Sequence, residues 1–225
     1  MDDSSHMITC VVFDVDGTLV DSVDQHASAF QDAFAEFGRS VPHSEIRMQI
    51  GKGLENLLPV FLSQEEIGEF GEALGKRKGE IFRKRYFHSI KAFPGVRELF
   101  KRVRRDGRRI ALASSAGREE LSALKACAGI EDLVDAETCA SSVKRTKPEP
   151  DIYETVLGQL GHPAPEEVMC VGDTPYDIEA AARAGLGSIA LRSGGFPDIT
   201  LLAAARIYDS PQDLLINYDD SPLNR

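Results

Sequence analysis

Short apolar runs alternate with helical patterns over most of the chain. Five runs predict buried strands, at residues 8–13, 108–113, 131–136, 167–172 and 187–191. Helical patterns lie between most of them, at residues 95–106, 118–128, 151–160 and 177–184. Because strands that alternate with helices form βαβ units, we predict an α/β fold with a doubly wound parallel sheet. Ligands of such sheets bind beyond the carboxyl ends of the strands.

Residues 22–91 interrupt this alternation with helical patterns and no convincing strand. Five apolar residues recur at steps of four and three, which places them on one helical face: Val23, Ala27, Phe30, Phe34 and Phe37. Two pairs fit the capping boxes that begin helices: Ser22 with Gln25, and Ser63 with Glu66. We therefore expect a helical cap domain at 22–91, inserted into a core domain of 7–21 and 92–225. The polar tail after Pro211 is expected to fray after one short helix.

Composition places the chain among ordinary globular proteins. Its 225 residues are 42% hydrophobic and 28% charged, which fits one large domain or one domain with an insert. No apolar stretch approaches the roughly 18 residues of a membrane-spanning helix, and no signal peptide is recognisable. Cys10 and Cys170 lie in apolar runs, which predicts buried reduced thiols. We expect a cytoplasmic protein, with residues 1–6 as an expression-tag remnant.

Charge argues against a nucleic-acid partner. The formal net charge is −10, whereas nucleic-acid binding proteins carry a positive surface. The segment 76–109 is an exception, with fourteen Lys and Arg against three Asp and Glu. That segment fits either an anion-attracting surface or a solvated helix face, and we favour the solvated face.

The strongest chemical signal is the run Asp14-Val15-Asp16-Gly17-Thr18, which follows directly after an apolar strand. Two carboxylates spaced by two residues share a face in extended chain, and a turn at Gly17 lets both point into one site. Such a pair can divide the work of nucleophile and general acid. Taken alone, the run also fits a surface turn capped by Thr18.

Further polar residues follow the other predicted strands. Ser114 and Ser115 end the strand at 108–113, where free backbone N–H groups suit phosphate oxygens. Lys147 precedes a helix, where a cation does not help the helix dipole and an anion partner would explain it. Asp173 ends the strand at 167–172, with Asp177 four residues later. Grouped carboxylates without a histidine cluster favour Mg²⁺.

These four motifs, in this order, resemble those of the haloacid dehalogenase superfamily, in the subgroup of phosphoglycolate phosphatase and β-phosphoglucomutase. The resemblance runs from residue 12 to 177, and its helical insert lies where this subgroup carries a cap. It implies a phosphoaspartyl mechanism. Haloalkanoate dehalogenases and phosphonate-cleaving relatives lack the second aspartate, so Asp16 favours phosphate-ester chemistry.

The resemblance also implies a role for each motif residue. Asp14 would attack phosphorus, and Asp16 would protonate the leaving alcohol and later deprotonate water. Phosphate oxygens would be bound by four residues: Thr18, Ser114, Ser115 and Lys147. Mg²⁺ would be held by Asp14, the main-chain carbonyl of Asp16, and Asp173, with Asp177 in support. Crowded carboxylates raise one another's pKa, and we expect this to keep Asp16 protonated.

Substrate choice is expected to lie in the helical insert. Lys52, between two glycines, resembles the specificity loop of phosphoglycolate phosphatases, while His26 and Lys78 fall where β-phosphoglucomutases have functional residues. A hydrolase acting on a small phosphorylated metabolite is favoured, and a mutase is the alternative. An interaction protein would show degraded motifs, and a phosphatase of nucleic-acid ends would need a more basic chain. We expect a monomer or a homodimer.

Overall fold

A computed structural model describes residues 7–224, so the expected tag remnant at residues 1–6 lies outside the described residues. Its centre is a six-stranded sheet in which every neighbouring pair is parallel. Its strands are β1 (Cys10–Phe13), β4 (Arg109–Ala113), β5 (Ala136–Thr138), β6 (Val168–Gly172), β7 (Gly187–Leu191) and β8 (Arg206–Tyr208). Their spatial order is β5-β4-β1-β6-β7-β8. The predicted doubly wound α/β class is confirmed.

Both faces of the sheet are buried, which explains why its strands are apolar without alternation. In β1, Val11 and Phe13 pack on one side, and Cys10 and Val12 pack on the other. Helices α6 (Val96–Arg105), α7 (Arg118–Ala128) and α10 (Pro211–Ile216) contribute to the first side. Helices α8 (Asp151–Gln159) and α9 (Pro175–Arg183) contribute to the second. Cys10 and Cys170 are free and buried, as predicted.

Residues 22–91 are mainly helical and are attached to the sheet through a small antiparallel pair, β2 (Val20–Asp21) with β3 (Lys91–Ala92). The α-helices are α1 (Val23–Glu36), α2 (His43–Arg47), α3 (Leu54–Phe61), α4 (Gln64–Glu66) and α5 (Glu72–Ile81). Two π-helical stretches, Ile67–Gly71 and Phe82–Tyr86, extend α4 and α5 into one helical run over residues 64–86. The division into core and cap domains stays a prediction.

The two predicted capping boxes have different outcomes. Ser63 and Glu66 form the full reciprocal box at α4. Ser22 makes no side-chain cap at α1, so the box predicted with Gln25 is wrong. The Ser22 hydroxyl instead donates to Asp16 Oδ1 at 2.6 Å. This charge-assisted hydrogen bond orients the hydroxyl towards Asp16, and its oxygen accepts no backbone N–H of the first turn of α1.

Two further expectations are corrected. The run at 131–136 is not one strand: Glu131–Leu133 is a 3₁₀ turn, and β5 begins only at Ala136, opposite Ala111. The tail is not frayed, because Tyr218 and Leu223 are buried and Arg108 donates to the Tyr218 hydroxyl at 2.7 Å. In both segments the structure is determined by packing against the rest of the protein, which the local sequence pattern does not show.

Part of the basic segment 76–109 lies against carboxylates from other parts of the chain. Five of its arginines pair with acidic residues outside it: Arg77 with Glu36, Arg85 with Asp32, Arg97 with Asp132, Arg102 with Asp219 and Arg104 with Asp135. These five arginines fit the solvated helix face, whereas Lys76, Lys78 and Arg83 of the same segment line a cavity. Within residues 7–224, no helix is both long and apolar enough to cross a membrane.

Candidate active site

The carboxyl ends of three adjacent central strands bring the predicted motif residues together. Asp14 follows β1, Ser114 follows β4 and Asp173 follows β6. Parallel register fixes these ends at one edge, since Phe13 pairs with Leu112 on one side and with Val171 on the other. Residues separated by up to 159 positions therefore share one site, as the sequence predicts for a doubly wound sheet.

A buried group of three carboxylates lies at this edge. One oxygen from each of Asp14, Asp173 and Asp177 falls within 4.8 Å of the others. Burial raises the pKa of Asp14 to about 7, opposed by the positive charge of Lys147 and reinforced by the negative charges of Asp177 and Asp16. Such a group is unstable without cations, because each ionised carboxylate opposes the next.

Lys147 supplies one of these cations. Its ammonium is fully buried and lies 2.5 Å from Asp14 Oδ1 and 2.7 Å from Asp177 Oδ1. It also donates to the carbonyl oxygen of Ala113 at 2.6 Å. Burial alone would lower the pKa of Lys147, but the two carboxylates outweigh it and raise that pKa. The lysine is therefore charged and bridges Asp14 to the first turn of α9, where Asp177 lies.

Asp173 is held on one oxygen and lacks a hydrogen-bond partner on the other. Thr18 donates to Asp173 Oδ1 at 2.6 Å, whereas the buried Oδ2 has no hydrogen-bond partner. A Cβ added at Gly17 or Gly194 would lie 2.4 or 1.8 Å from that Oδ2, so only glycine leaves room around it. Burial, followed by the charges of Asp14 and Asp177, raises the pKa of Asp173 well above its usual value.

These donors fit a hard divalent cation. All are carboxylate oxygens, which Mg²⁺ prefers, and a bound cation would satisfy the orphaned Asp173 Oδ2 and offset the charge of the group. Asp177 is otherwise occupied: its Oδ2 accepts from the backbone N–H and the hydroxyl of Thr174, at 3.0 and 2.6 Å. That arrangement suits a supporting role for Asp177 more than direct ligation.

The Asp16 side chain turns away from the carboxylate group. Its Oδ1 accepts hydrogen bonds from Ser22 and from His26 Nε2, at 2.6 and 2.8 Å. Burial would raise the pKa of Asp16, but the hydrogen bonds from His26 and Ser22 and the charge of Lys78 together lower it. The expectation that crowding keeps Asp16 protonated is therefore wrong for this arrangement.

His26 links Asp16 to Lys78. The ammonium of Lys78 lies 2.9 Å from His26 Nδ1, and an ammonium can only donate. Nδ1 therefore accepts, which leaves Nε2–H to donate to Asp16. His26 also stacks on Phe82, with ring centroids 4.0 Å apart. Sequence reasoning missed Glu120, whose Oε1 lies 3.9 Å from both His26 Nε2 and Lys78 Nζ.

A cavity of about 450 Å³ opens above Asp14 and Asp16, between the strand ends and the helical segment 22–91. Five cationic residues are among those that line it: Lys52, Lys76, Lys78, Arg83 and Arg118. Lys52 donates to Gln49 at 2.6 Å and lies over the Tyr176 ring, 4.6 Å from its centroid. Four carboxylates also line the cavity, all from outside the segment 22–91: Asp14, Asp16, Glu119 and Glu120. The wall that the segment 22–91 contributes is therefore the cationic one, and a small anionic group fits against it.

Three of the predicted phosphate-binding residues differ in burial and in their hydrogen-bond partners. Ser114 is buried, and its hydroxyl oxygen accepts from the Ala116 N–H at 3.1 Å. Ser115 lines the cavity and donates to the Gly51 carbonyl at 2.9 Å. The Thr18 hydroxyl donates its hydrogen bond to Asp173. All three lie at the site, and their phosphate-binding role stays a prediction.

Comparison with known proteins identifies relatives over most of the chain. The family model described as haloacid dehalogenase-like hydrolase matches residues 11–191. A phosphorylated carbohydrates phosphatase of Thermotoga maritima is 31% identical over 180 residues, or 80% of this chain and 82% of that protein. A phosphoglycolate phosphatase of Pseudomonas syringae is 30% identical over 189 residues, 82% and 69% of the two chains. A solved hydrolase from Pseudomonas syringae superposes with a TM-score of 0.86 at 27% identity, covering 94% and 98%.

Proposed function

The chain belongs to the haloacid dehalogenase-like hydrolase family, and we propose that it is a Mg²⁺-dependent phosphatase that hydrolyses a small phosphorylated metabolite through an aspartyl-phosphate intermediate. One observation supports this most: Asp14, held by a buried lysine beside two more carboxylates, lines a cavity with cationic walls. Relatives named as phosphatases of phosphorylated carbohydrates and of phosphoglycolate point to the same substrate class.

Asp14 acts as the nucleophile in this proposal. One carboxylate oxygen forms a bond to phosphorus while the bond from phosphorus to the ester oxygen breaks. Lys147, already against Asp14 Oδ1, fixes the carboxylate and offsets the charge of the phosphoryl group. Phosphoryl transfer depends mostly on such positioning and charge neutralisation. Bound Mg²⁺, held by Asp14, Asp173 and the Asp16 carbonyl, would supply further charge stabilisation.

Asp16 moves the protons. The ester oxygen leaves as an alcohol when Asp16 donates a proton to it, and the resulting carboxylate then removes a proton from the water that hydrolyses the intermediate. The hydrogen bonds from Ser22 and His26 favour the ionised form, which suits the second step. For the first step Asp16 must be protonated, and the negative charge of a phosphate monoester bound beside it would raise its pKa towards that form.

Residues 22–91 act as a cap in this proposal and contribute to substrate recognition. The segment provides Lys52, Lys76, Lys78 and Arg83 to the cavity wall, opposite the phosphoryl site. The preferred substrate therefore carries a second polar or anionic group, as a phosphorylated acid or a sugar phosphate does.

A phosphomutase is the second candidate, because His26 bridges Asp16 and Lys78 through direct contacts. That bridge gives both residues a place beside the proposed acid and base. A mutase would move the phosphoryl group within a sugar and would need a bisphosphate to prime Asp14.

A phosphate-release screen separates the two candidates. Small phosphorylated metabolites are tested with Mg²⁺, beside β-glucose 1-phosphate with its bisphosphate activator. Release from one compound far above the others supports the hydrolase and identifies its substrate. Conversion of glucose 1-phosphate to glucose 6-phosphate without release supports the mutase. If neither reaction occurs with any compound, both candidates are wrong.

Metal binding is expected to stabilise the protein in a pH-dependent way. The pKa of Asp14 is about 7 and that of Asp173 is raised, so at low pH protons compete with the ion. Mg²⁺ should therefore raise the melting temperature more at about pH 8 than at about pH 5.5.

Thermal unfolding with excess Mg²⁺ and with EDTA measures this difference. Asp173→Asn should abolish the rise, while Asp220→Asn, at an exposed position in the C-terminal segment, should keep it. An equal rise at both pH values, or a rise that survives Asp173→Asn, contradicts the proposed metal site.

Lys52 is expected to bind substrate without taking part in the chemical step. Lys52→Ala should raise KM about 10-fold for an anionic substrate and leave kcat within about threefold, since a hydrogen bond to a charged group is lost. Lys84→Ala, an exposed lysine of the same helical segment, is the matched control. An unchanged KM for every phosphorylated compound would remove Lys52 from the binding site.

A further inference from the structure

The loop that carries Lys147 is held by two neighbouring side chains of α3. Glu55 Oε1 accepts from the backbone N–H of Thr146 at 2.7 Å and from its hydroxyl at 2.6 Å. Asn56 Nδ2 lies 3.2 Å from the carbonyl oxygens of both Thr146 and Lys147. Four hydrogen bonds therefore connect the first turn of α3 to two consecutive residues some 90 positions later in the chain.

Gly53, immediately before α3, makes this contact possible. A Cβ added at Gly53 would lie 1.9 Å from Thr146 Oγ1, far inside any allowed contact distance. Thr146 itself is 3% exposed, so its backbone polar groups are shielded from water and depend on protein partners. The loop and the start of α3 are thus fitted closely to each other.

The position of the Lys147 ammonium depends on this close fit between the loop and α3. Its ammonium meets three acceptors at once: Asp14, Asp177 and the Ala113 carbonyl. Hydrogen bonds to Asp14 and the Ala113 carbonyl, together with the ion pair to Asp177, leave little room for displacement of the ammonium. Charge-assisted hydrogen bonds weaken steeply with distance and angle. A backbone shift at Thr146 is carried directly to the neighbouring Lys147.

We propose that Glu55 and Asn56 are positioning residues for the reaction: they fix the Thr146–Lys147 backbone and thereby hold the Lys147 ammonium against Asp14. The proposal rests on the proposed function for the part of Lys147 in catalysis. Its consequence is that Lys147 is correctly placed only while α3 lies against the core.

Other contacts of the same segment support this coupling. The Tyr176 hydroxyl donates to the Met48 carbonyl at 2.7 Å, and the Ser115 hydroxyl donates to the Gly51 carbonyl. The chain from Met48 to Asn56 therefore touches the loop after β4 and the first turn of α9 as well as the Lys147 loop.

Steady-state kinetics of single and double variants test the proposal. Glu55→Ala and Asn56→Ala should each lower kcat about 10- to 100-fold and leave KM within about twofold, as expected when a catalytic group is misplaced. Glu55→Gln keeps an oxygen that accepts both Thr146 hydrogens, so it should retain most of the activity. Glu65→Ala, an exposed glutamate of the same helical segment, should match the unaltered protein.

A double-mutant cycle tests the specific contact. Thr146→Val removes the hydroxyl donor to Glu55, and its effect should be smaller in the Glu55→Ala background than alone. Full additivity, or a kcat for Glu55→Ala and Asn56→Ala that equals that of Glu65→Ala, overturns the proposal. A loss equal in Glu55→Gln and Glu55→Ala also overturns it, because the shared acceptor would then not matter.

Hydrogen exchange at the Thr146 amide separates this proposal from the proposed function. Its exchange should be slow in the unaltered protein and in Glu55→Gln, and at least about 10-fold faster in Glu55→Ala. If no compound releases phosphate but the Thr146 amide exchanges faster in Glu55→Ala, the proposed function is wrong. The proposal that Glu55 fixes the Thr146–Lys147 backbone is then still supported. If the Thr146 amide exchanges at the same rate in all variants, Glu55 does not fix the Thr146–Lys147 backbone, whatever the activity of the variants.

Discussion

Asp14→Asn is expected to abolish phosphate release, lowering kcat by at least about 1,000-fold, because an amide oxygen cannot form the aspartyl phosphate. The substitution preserves shape, and the amide oxygen can still accept from Lys147. Substrate binding should persist, since the cationic cavity wall is unchanged. The measurement is phosphate release under single-turnover conditions, beside substrate binding by calorimetry.

The pH dependence of the melting temperature of Asp14→Asn shows whether this variant is folded. The folded-state pKa of Asp14, about 7, lies above its ordinary value of 3.8. A raised carboxyl pKa destabilises the folded state progressively as pH rises from about 4 to about 7, and fully above that. Without metal, Asp14→Asn should therefore melt at a higher temperature than the unaltered protein at about pH 8, and the gain should vanish near pH 4. A fully active Asp14→Asn protein would refute the aspartyl-phosphate mechanism.

Local sequence was enough to predict Asp14, Lys147 and Asp173 as neighbours. Each follows an apolar strand or precedes a helix, and the rule that parallel strands share a functional edge supplies the rest. The sequence pattern could not predict the surroundings of Asp16. Ser22 and His26 reach it through the start of α1, and their hydrogen bonds reverse the direction of the pKa shift that crowding alone suggests.

No local sequence pattern marks the residues whose function depends on long-range contacts. Glu120 and Glu55 are two of many glutamates, and only the folded chain places one near His26 and the other on Thr146. The two-residue strands β2 and β3 are too short for periodicity to reveal. The position of β5 was mistaken for a related reason, since a short apolar run does not distinguish a strand from a packed turn.

Lys147→Met is expected to have the second large effect, on both activity and stability. It removes the cation between Asp14 and Asp177 and leaves two buried carboxylates facing each other. Breaking a buried ion pair costs about 3–5 kcal/mol of unfolding free energy. The loss should be greatest at high pH, where Asp14 with its pKa of about 7 is ionised, and smaller near pH 5, where protonation of Asp14 relieves the repulsion. Phosphate release should fall at least about 1,000-fold.

Urea unfolding in EDTA, at about pH 8 and about pH 5, measures the stability change. Lys144→Met, an exposed lysine three residues earlier, is the control and should change little. The double variant Lys147→Met with Asp177→Asn removes the unpaired charge together with the cation, so it should be more stable than Lys147→Met alone. It should remain inactive, because the charge that stabilises the phosphoryl group is still missing. If Asp177→Asn brings no recovery, the buried repulsion is not what destabilises Lys147→Met, and the bridging role of Lys147 between these two carboxylates is wrong.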